Sequence, residues 1–192
     1  SLTWGALIKG ELREFSQNKL INNTKAGVLI TPNQADKLSE GVYGPNDTEG
    51  IFLEQGDITR EVSLVRHGVP YVCTKRIIVD GSTTSASLSL EEGVLLQMSP
   101  NTSIETRGGG RLLLNGSEER RVNITSYLSH PVPGSWNRIK LQDSGAITWR
   151  FADIEYGGGS FEETVWLKNG SLTLNSVTIS NGLGDCDIET DR

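Results

Sequence analysis

The sequence predicts an all-β fold, a single-stranded parallel β-helix (solenoid), on three observations. Between Leu88 and Asn181, apolar and polar residues alternate in short bursts, and alternate positions facing the same way are typical of a strand with one buried face. Glycines, of which the chain has 22, mark many of the corners between these bursts. No helical period lies between them. Strands this short, without helices, favour stacked coils over a sandwich.

A repeat within this stretch sets the length of one coil. Two segments match at a constant offset of 25 residues: Ile147 with Leu172, Trp149 with Leu174, Ala152 with Val177, Ile154 with Ile179 and Gly157 with Gly182. The preceding burst matches at an offset of 26 residues, Ile139 with Val165 and Leu141 with Leu167. This period predicts a solenoid of roughly six to eight coils, each buried on its neighbours. The alignment also predicts that Trp149 and Leu174 are core residues.

The first half of the chain is less regular. Apolar bursts recur at residues 51–53, 62–65 and 77–79. From residue 31 to residue 50 the pattern gives way to prolines, glycines and charges, which predicts a loop excursion near residues 31–50. Residues 34–39 would suit one helical turn. Such an excursion either carries binding or is a solvated insertion.

Four segments resemble a known fold family. They are Leu88-Ser-Leu-Glu-Glu-Gly-Val94, Gly109-Gly-Arg-Leu-Leu-Leu-Asn-Gly116, Val122-Asn-Ile-Thr-Ser126 and Pro133-Gly-Ser-Trp-Asn-Arg-Ile139. This pattern resembles the repeats of right-handed parallel β-helices of the pectin-lyase-like class in bacterial surface proteins. The resemblance covers residues 60–182 well. It implies a right-handed coil and an extracellular or cell-surface location. It implies no single function, because that fold hosts lyases, hydrolases, adhesins and inert stalks.

Composition limits the partners. The net charge of −6 disfavours nucleic acid, because phosphate binding needs a basic patch. No apolar run reaches the length of a membrane span, so none is predicted in this segment. Cys73 and Cys186 are too few for a disulfide framework. A single bridge between them stays open, and two buried free thiols are the favoured interpretation.

No catalytic residue is predicted. The Arg138-Ile139-Lys140 triplet is similar to one in polygalacturonases, where the basic pair binds substrate carboxylates. The acidic and histidine motifs of that family are missing here, so the triplet is interpreted as strand alternation with Ile139 facing inward. A lyase site would need Ca²⁺-binding acids and an arginine base on one face of a sheet. Asp143, Asp153 and Glu155 are available with Arg150 nearby, and Asp153 and Glu155 share one side of their strand. Alternation on a solvated face also produces such pairs.

Two binding sites are predicted. Tyr156 and Trp166 are candidates for contacting a sugar, because Trp166 alternates with apolar neighbours and Tyr156 adjoins a glycine-rich loop; loop packing is the alternative. Asp185, Asp187 and Glu189 alternate, so their carboxylates would line one side of an extended chain and suit Ca²⁺. The alternative is an acidic, partly disordered tail without an ion. No other cofactor is predicted.

We expect residues 1–192 to form one β-helix domain of a longer chain, with an acidic tail at 183–192. The expected function is that of a non-catalytic module of a secreted or surface-anchored bacterial protein, acting as a rigid spacer, adhesive or glycan-binding element. Its partner would be a polysaccharide or another surface protein. The alternative is a polysaccharide lyase or glycoside hydrolase of the pectin-lyase-like class. Carboxylates and basic residues clustered in one outward groove would favour the enzyme. Charges scattered over the surface would favour the module.

Overall fold

In the computed structural model, which describes residues 3–184 and 188–191, the chain winds through about seven turns of a parallel β-helix. Both the predicted fold class and the predicted number of coils are confirmed. The elements follow one another along the turns: β1 (Ala6–Ile8), β2 (Asn18–Lys19), β3 (Val28–Ile30), the 3₁₀ helix η1 (Pro32–Lys37), β4 (Gly41–Val42), β5 (Ile51–Leu53), β6 (Gly56–Ile58), β7 (Glu61–Leu64), β8 (Tyr71–Cys73), β9 (Ile77–Asp80), β10 (Ser87–Glu91), β11 (Leu95–Met98), β12 (Ile104–Arg107), β13 (Arg111–Asn115), β14 (Val122–Ser126), β15 (Ile139–Glu155), β16 (Val165–Ser180) and β17 (Ile188–Asp191).

Three parallel faces run along the axis of the solenoid. The first sheet stacks β1, β3, β5, β8, β11, β14 and the last parts of β15 and β16. The second sheet stacks β6, β9, β12, the first parts of β15 and β16, and β17. The third sheet stacks β7, β10, β13 and the middle parts of β15 and β16. Each full turn from β5 onward therefore visits the three sheets in the same order.

Two long strands pass through all three sheets because each bends twice. In β15 the bends lie at Asp143 and Phe151, with φ of 53° and 46°. In β16 they lie at the equivalent residues Asn169 and Ser176, with φ of 53° and 54°. A positive φ turns the backbone out of the extended direction at one residue. One such residue therefore replaces a loop at three of these corners, and at the first corner of β15 a second, Gly145 with φ of 67°, adds to the bend.

The predicted repeat is the observed pairing register. Ile147, Trp149, Ala152 and Ile154 of β15 pair with Leu172, Leu174, Val177 and Ile179 of β16, an offset of 25 residues. The first parts of the two strands pair at an offset of 26, as Ile139 does with Val165. The register changes between Gln142 and Gly145, at the first bend. The one-residue difference in the sequence therefore corresponds to an irregularity at one corner.

The core is built from side chains that stack at equal register positions. On the first sheet, one inward row is 0–1% exposed and runs through Val28, Ile51, Tyr71, Leu96, Ile124 and Ile154. Each fully buried aliphatic side chain of this kind stabilises the fold by about 1.5–3 kcal/mol. Each coil within the stack is thus covered by a neighbouring coil on both sides. A coil at the end of the stack is covered on one side only.

Trp149 and Leu174 show how burial depends on whether a turn is covered on both sides. Trp149 is fully buried, as predicted, and its indole N–H donates to the Leu112 carbonyl at 2.9 Å. Its register partner Leu174 is 39% exposed, so the prediction that Leu174 is a core residue is wrong. Among the described residues, β17 covers only the first part of β16, at residues 165–168. The middle of β16 therefore has a neighbouring strand on one side.

Residues 31–50 interrupt the strand pattern, as predicted, but they do not leave the solenoid. Residues Pro32–Lys37 form η1, which overlaps the helical turn expected at 34–39. Ala35, Leu38 and Tyr43 are 0–1% exposed and belong to the core. The strand β4 pairs in parallel with β2 of the turn below. This segment is accordingly the second turn of the helix, with a 3₁₀ helix in place of a strand.

Two further expectations concern the cysteines and the chain end. Cys73 is a buried free thiol, and burial raises its pKa to about 12. Cys186 lies outside the described residues. Within the expected acidic tail, Ile188–Asp191 forms β17, which extends the second sheet. No helix in the described ranges is both long and apolar enough to cross a membrane.

Replacing Trp149 with Ala should lower the free energy of unfolding by about 3–5 kcal/mol, because a large buried ring is removed and the Leu112 carbonyl loses its donor. The matched control is Leu174→Ala at the same register position, which should cost less than about 1 kcal/mol because the site is open to solvent. Urea unfolding of the two variants measures both values. Equal losses would contradict the difference in burial.

His67 is a half-buried titratable group beside the second turn. Its ring lies 5.0 Å from the Tyr43 ring, and its Nε2 has no hydrogen-bond partner among the described residues. Desolvation lowers the pKa of His67 below 6.5, while a hydrogen bond to the Leu38 backbone acts in the opposite direction. The unfolded chain therefore takes up a proton more readily than the folded one, and stability is lost as the pH falls through the unfolded pKa.

Acidification from about pH 7.5 to about pH 5 should therefore destabilise the protein, and His67→Phe should reduce this pH dependence while keeping the ring contacts. Thermal melts across this range provide the measurement. The control is His130→Gln, at the exposed second histidine of the chain. An unchanged pH dependence in His67→Phe would show that His67 does not contribute.

Candidate functional site

An aromatic and basic group of side chains lies on the outward side of the second sheet. Trp166 of β16 alternates with Val165 and Leu167, both buried, and its own side chain is half-buried on the outer face, as the alternation predicts. Three cations lie over its indole ring, Lys140 at 5.1 Å, Arg138 at 5.4 Å and Lys168 at 5.7 Å from the ring centroid. Together with Phe161, these four residues form what is called here the Trp166 cluster.

Strand pairing brings the two lysines to the indole. Lys140 of β15 is the direct register partner of Trp166. Lys168 follows Trp166 by two residues on β16, and so faces the same side of the sheet. Both lysines are half-buried, because the aliphatic part of such a side chain packs on apolar surface while the ammonium group reaches water. The ring therefore restricts where the two ammonium groups can lie.

Arg138 has a different role from the lysines. Its guanidinium lies 3.8 Å from the centroid of Phe161 and forms an ion pair with Glu163. The side chains of Arg138 and Glu163 are only 17% and 7% exposed. The charge of Arg138 is thus balanced within the fold, and its contact with both rings supports their positions. Removing either member of such a pair would leave the other charge buried without a partner.

The two lysines differ in their pairing from the other cations of the second sheet. Elsewhere on the second sheet the cations are paired, Arg107 with Asp57 and Asp80, and Arg76 with Glu105. Among the side chains that the structure describes, neither Lys140 nor Lys168 forms an ion pair, although Glu105 and Glu189 flank the cluster in register. Two positive charges beside one aromatic surface attract an anion.

Tyr156 is placed differently from Trp166. It follows β15 with a φ of 64°, is half-buried and packs against the core. Its backbone N–H donates to the Ser180 carbonyl at 3.2 Å. No ring contact joins it to Trp166 in the part of the chain described. A sugar contact by Tyr156 stays a prediction.

The structure describes only one of the three predicted calcium ligands. Glu189 is exposed on β17, and Asp185 and Asp187 lie outside the described residues. Within residues 3–184 and 188–191, no group of three or more potential ligands could hold a metal ion. The calcium site at these three positions stays a prediction.

Asp153, one member of the acidic pair considered for a lyase site, is tied into the fold. Arg121 holds both carboxylate oxygens of Asp153, at 2.7 and 2.8 Å, and also donates to the carbonyls of Ala152 and Ser176. The hydrogen bond from Arg121 is the main reason that the pKa of Asp153 lies below its usual value. The interaction links three successive turns. Asp153 is therefore a structural anchor in this structure, with its oxygens already occupied.

A second aromatic group on the first sheet was not predicted from the sequence. Phe52 of β5 faces outward and contacts the rings of Trp4 and Tyr127. The alternation in Ile51-Phe52-Leu53 could have indicated an outward phenylalanine. Trp4 lies 48 positions before Phe52 in the sequence, and Tyr127 lies 75 positions after it. Their contact therefore depends on how the turns stack.

Comparison with known proteins adds no relative. No protein-family model matches this sequence, and neither a curated protein nor a solved structure matches it.

Arg121→Met should lower the free energy of unfolding by about 1–2 kcal/mol at neutral pH, because four hydrogen bonds across three turns are lost. Asp153 has a lowered pKa in the folded state, so this contribution is present above the unfolded pKa and is lost as the pH falls through the folded pKa. The difference between the variant and the wild type should therefore shrink on acidification below about pH 4. Urea unfolding at a series of pH values tests this, with Arg111→Met on an exposed arginine as control.

Proposed function

We propose that this chain is a rigid, non-catalytic β-helix module that binds an acidic polysaccharide at the Trp166 cluster. The observation that carries the proposal is the pair of lysines, Lys140 and Lys168, held over one indole without an ion-pair partner among the described side chains. A sugar that bears carboxylates supplies the missing anions. Phe161, which is 43% exposed, and the free edge of Trp166 supply apolar surface for the sugar rings.

The direction of the strands favours a polymer over a small anion. Lys140 and Lys168 lie on adjacent turns, because β15 pairs with β16. Neighbouring strands of a sheet are about 4.8 Å apart along the axis. A chain of acidic sugars that follows the axis would present successive carboxylates to successive turns. Because the protein as a whole has a net charge of −6, we expect the polyanion to be attracted only locally, with an affinity that falls as salt rises.

The setting of the module is part of the proposal. The parallel β-helix and the repeat motifs similar to those of the pectin-lyase-like class support a place among β-helix proteins of bacterial surfaces, outside the cell. Each turn is hydrogen-bonded to the next, so the stack is stiff along its length and suits a spacer that presents a binding face. In place of a polysaccharide, another surface protein would be the partner of such a module.

Affinity electrophoresis in gels that contain polygalacturonate should retard the wild type. The double variant Lys140→Gln/Lys168→Gln should bind roughly tenfold more weakly and lose most of its salt dependence, since the charge-assisted contacts are gone. The matched control is Lys19→Gln/Lys75→Gln, which removes two exposed lysines elsewhere and changes the net charge equally. Trp166→Ala should also weaken binding, because the ammonium groups are no longer held.

Two results would contradict the proposal. Equal retardation of both double variants would show that net charge, and not the Trp166 cluster, determines binding. New unsaturated or reducing ends in the polymer, with or without calcium, would show that the chain is an enzyme. Retention without such ends is the result expected of a binding module.

A further inference from the structure

We infer that the outward side of the first sheet carries a second binding site, a groove for a neutral polysaccharide, which is separate from the Trp166 cluster. The groove has an aromatic floor and end walls. The ring of Phe52 lies 5.2 Å from that of Trp4 and 5.9 Å from that of Tyr127, with both pairs in edge-to-face geometry at 66° and 81°. The three rings come from the first, third and sixth turns and form one band along the axis.

The three rings belong to a small apolar cluster outside the core of the solenoid. Phe52 is 8% exposed and Val72 is fully buried, although both face away from the core. Trp4 and Tyr127 pack against them from the two ends and stay half-buried. Apolar surface therefore continues from the floor of the groove to its rim, where ring faces can be reached from solvent.

Two hollows adjoin the aromatic band. One, of about 340 Å³, lies between Trp4, Phe52 and Tyr127, with Lys25 and Thr48 at its side. The other, of about 620 Å³, lies beyond Tyr127 and is lined by hydrogen-bonding side chains. These include Asp47, Glu49, Gln97 and Ser129. The two hollows share Thr48 and Tyr127, so they lie side by side and together make up the groove.

One wall of the groove is held by stacked loops. Asn46 accepts a hydrogen bond from the Asn23 side chain at 2.8 Å and donates to the carbonyls of Leu20 and Tyr43 at 3.0 and 2.7 Å. The backbone N–H of Asp47 donates to the Asn23 carbonyl at 3.0 Å. The loop before β5 is thus fixed on the loop before β3, and the wall is formed before any ligand binds.

The lining matches the chemistry of a neutral sugar chain. The ring of a sugar offers an apolar face that packs on aromatic rings, and its hydroxyls donate to carboxylates and amides. Asp47 and Glu49 are exposed and form no ion pair among the described residues, while Lys25 lies 5.1 Å from the Trp4 ring. The groove therefore has a net negative charge, which repels acidic sugars and favours a neutral ligand whose hydroxyls donate to the carboxylates.

The backbone around the groove argues against an extended peptide as the occupant. The strand β5 pairs with β3 and β8, and β8 pairs with β5 and β11. Their N–H and C=O groups are used within the sheet, so neither β5 nor β8 has a free edge for strand addition along the middle of the groove. From β3 to β14 the groove crosses four turn spacings, roughly 19 Å, which is long enough for several sugar rings.

The test is retention in gels that contain a neutral β-glucan, xylan or mannan, with polygalacturonate as the acidic comparison. We expect at least one neutral polymer to retard the wild type. Tyr127→Ala and Trp4→Ala should weaken that binding by roughly tenfold or more, because ring contacts are lost. Tyr127→Phe, which keeps the ring, should bind nearly as well as the wild type. Thermal melts of each variant show that the fold is retained.

Matched controls separate this site from the Trp166 cluster. Phe161→Ala removes an exposed aromatic ring on the second sheet, and Lys140→Gln/Lys168→Gln removes the proposed acidic-sugar contacts. Both should leave neutral binding unchanged, and Tyr127→Ala should leave polygalacturonate binding unchanged. Retention by none of the neutral polymers, or neutral binding that survives both Tyr127→Ala and Trp4→Ala, would overturn the inference. Loss of binding together with a change in oligomeric state would instead identify a second copy of the chain as the occupant.

Discussion

In-register parallel pairing between successive turns is the interaction on which this structure depends. Because each strand is bonded to the strand one turn earlier and one turn later, equal register positions stack directly on one another. A buried side chain is then covered by its counterparts above and below, and the core becomes a set of continuous apolar rows. A single turn has no core of its own, so its stability comes from its neighbours. The contrast between buried Trp149 and its exposed partner Leu174 follows directly.

The same constraint organises the outside of the solenoid. Outward positions also stack, so side chains that are far apart in sequence meet along the axis at the spacing of neighbouring strands. Lys140 meets Trp166 because their turns are adjacent, and Trp4, Phe52 and Tyr127 meet across several turns. The two surfaces differ in charge, since among the described side chains one carries two lysines without an ion pair and the other carries two carboxylates without an ion pair. A single scaffold can therefore present distinct binding chemistry on different sheets.

Several features could be predicted because they depend on local pattern. The alternation of apolar and polar residues identified the strands, and the offsets of 25 and 26 residues identified the register of β15 on β16. The buried Trp149 followed from that register, and the outward Trp166 followed from its alternation with Val165 and Leu167. Residues 31–50 were harder, because η1 and its C-cap bury Ala35 and Leu38 at a spacing that is not the period of a strand. Glycines and prolines there indicated an interruption and could not indicate that the segment stays in the core.

The sequence by itself determined the fold class, the coil length and which side of the regular strands faces inward, because these follow from the period of the side chains along one strand. The tertiary structure alone decided which turns are covered, which cations are paired and which rings meet. Arg138 and Lys140 are two residues apart and both carry a positive charge, yet among the described side chains only Arg138 of the two forms an ion pair. Such differences depend on contacts between turns, and their distances are set by the lengths of the corners and the packing of neighbouring coils.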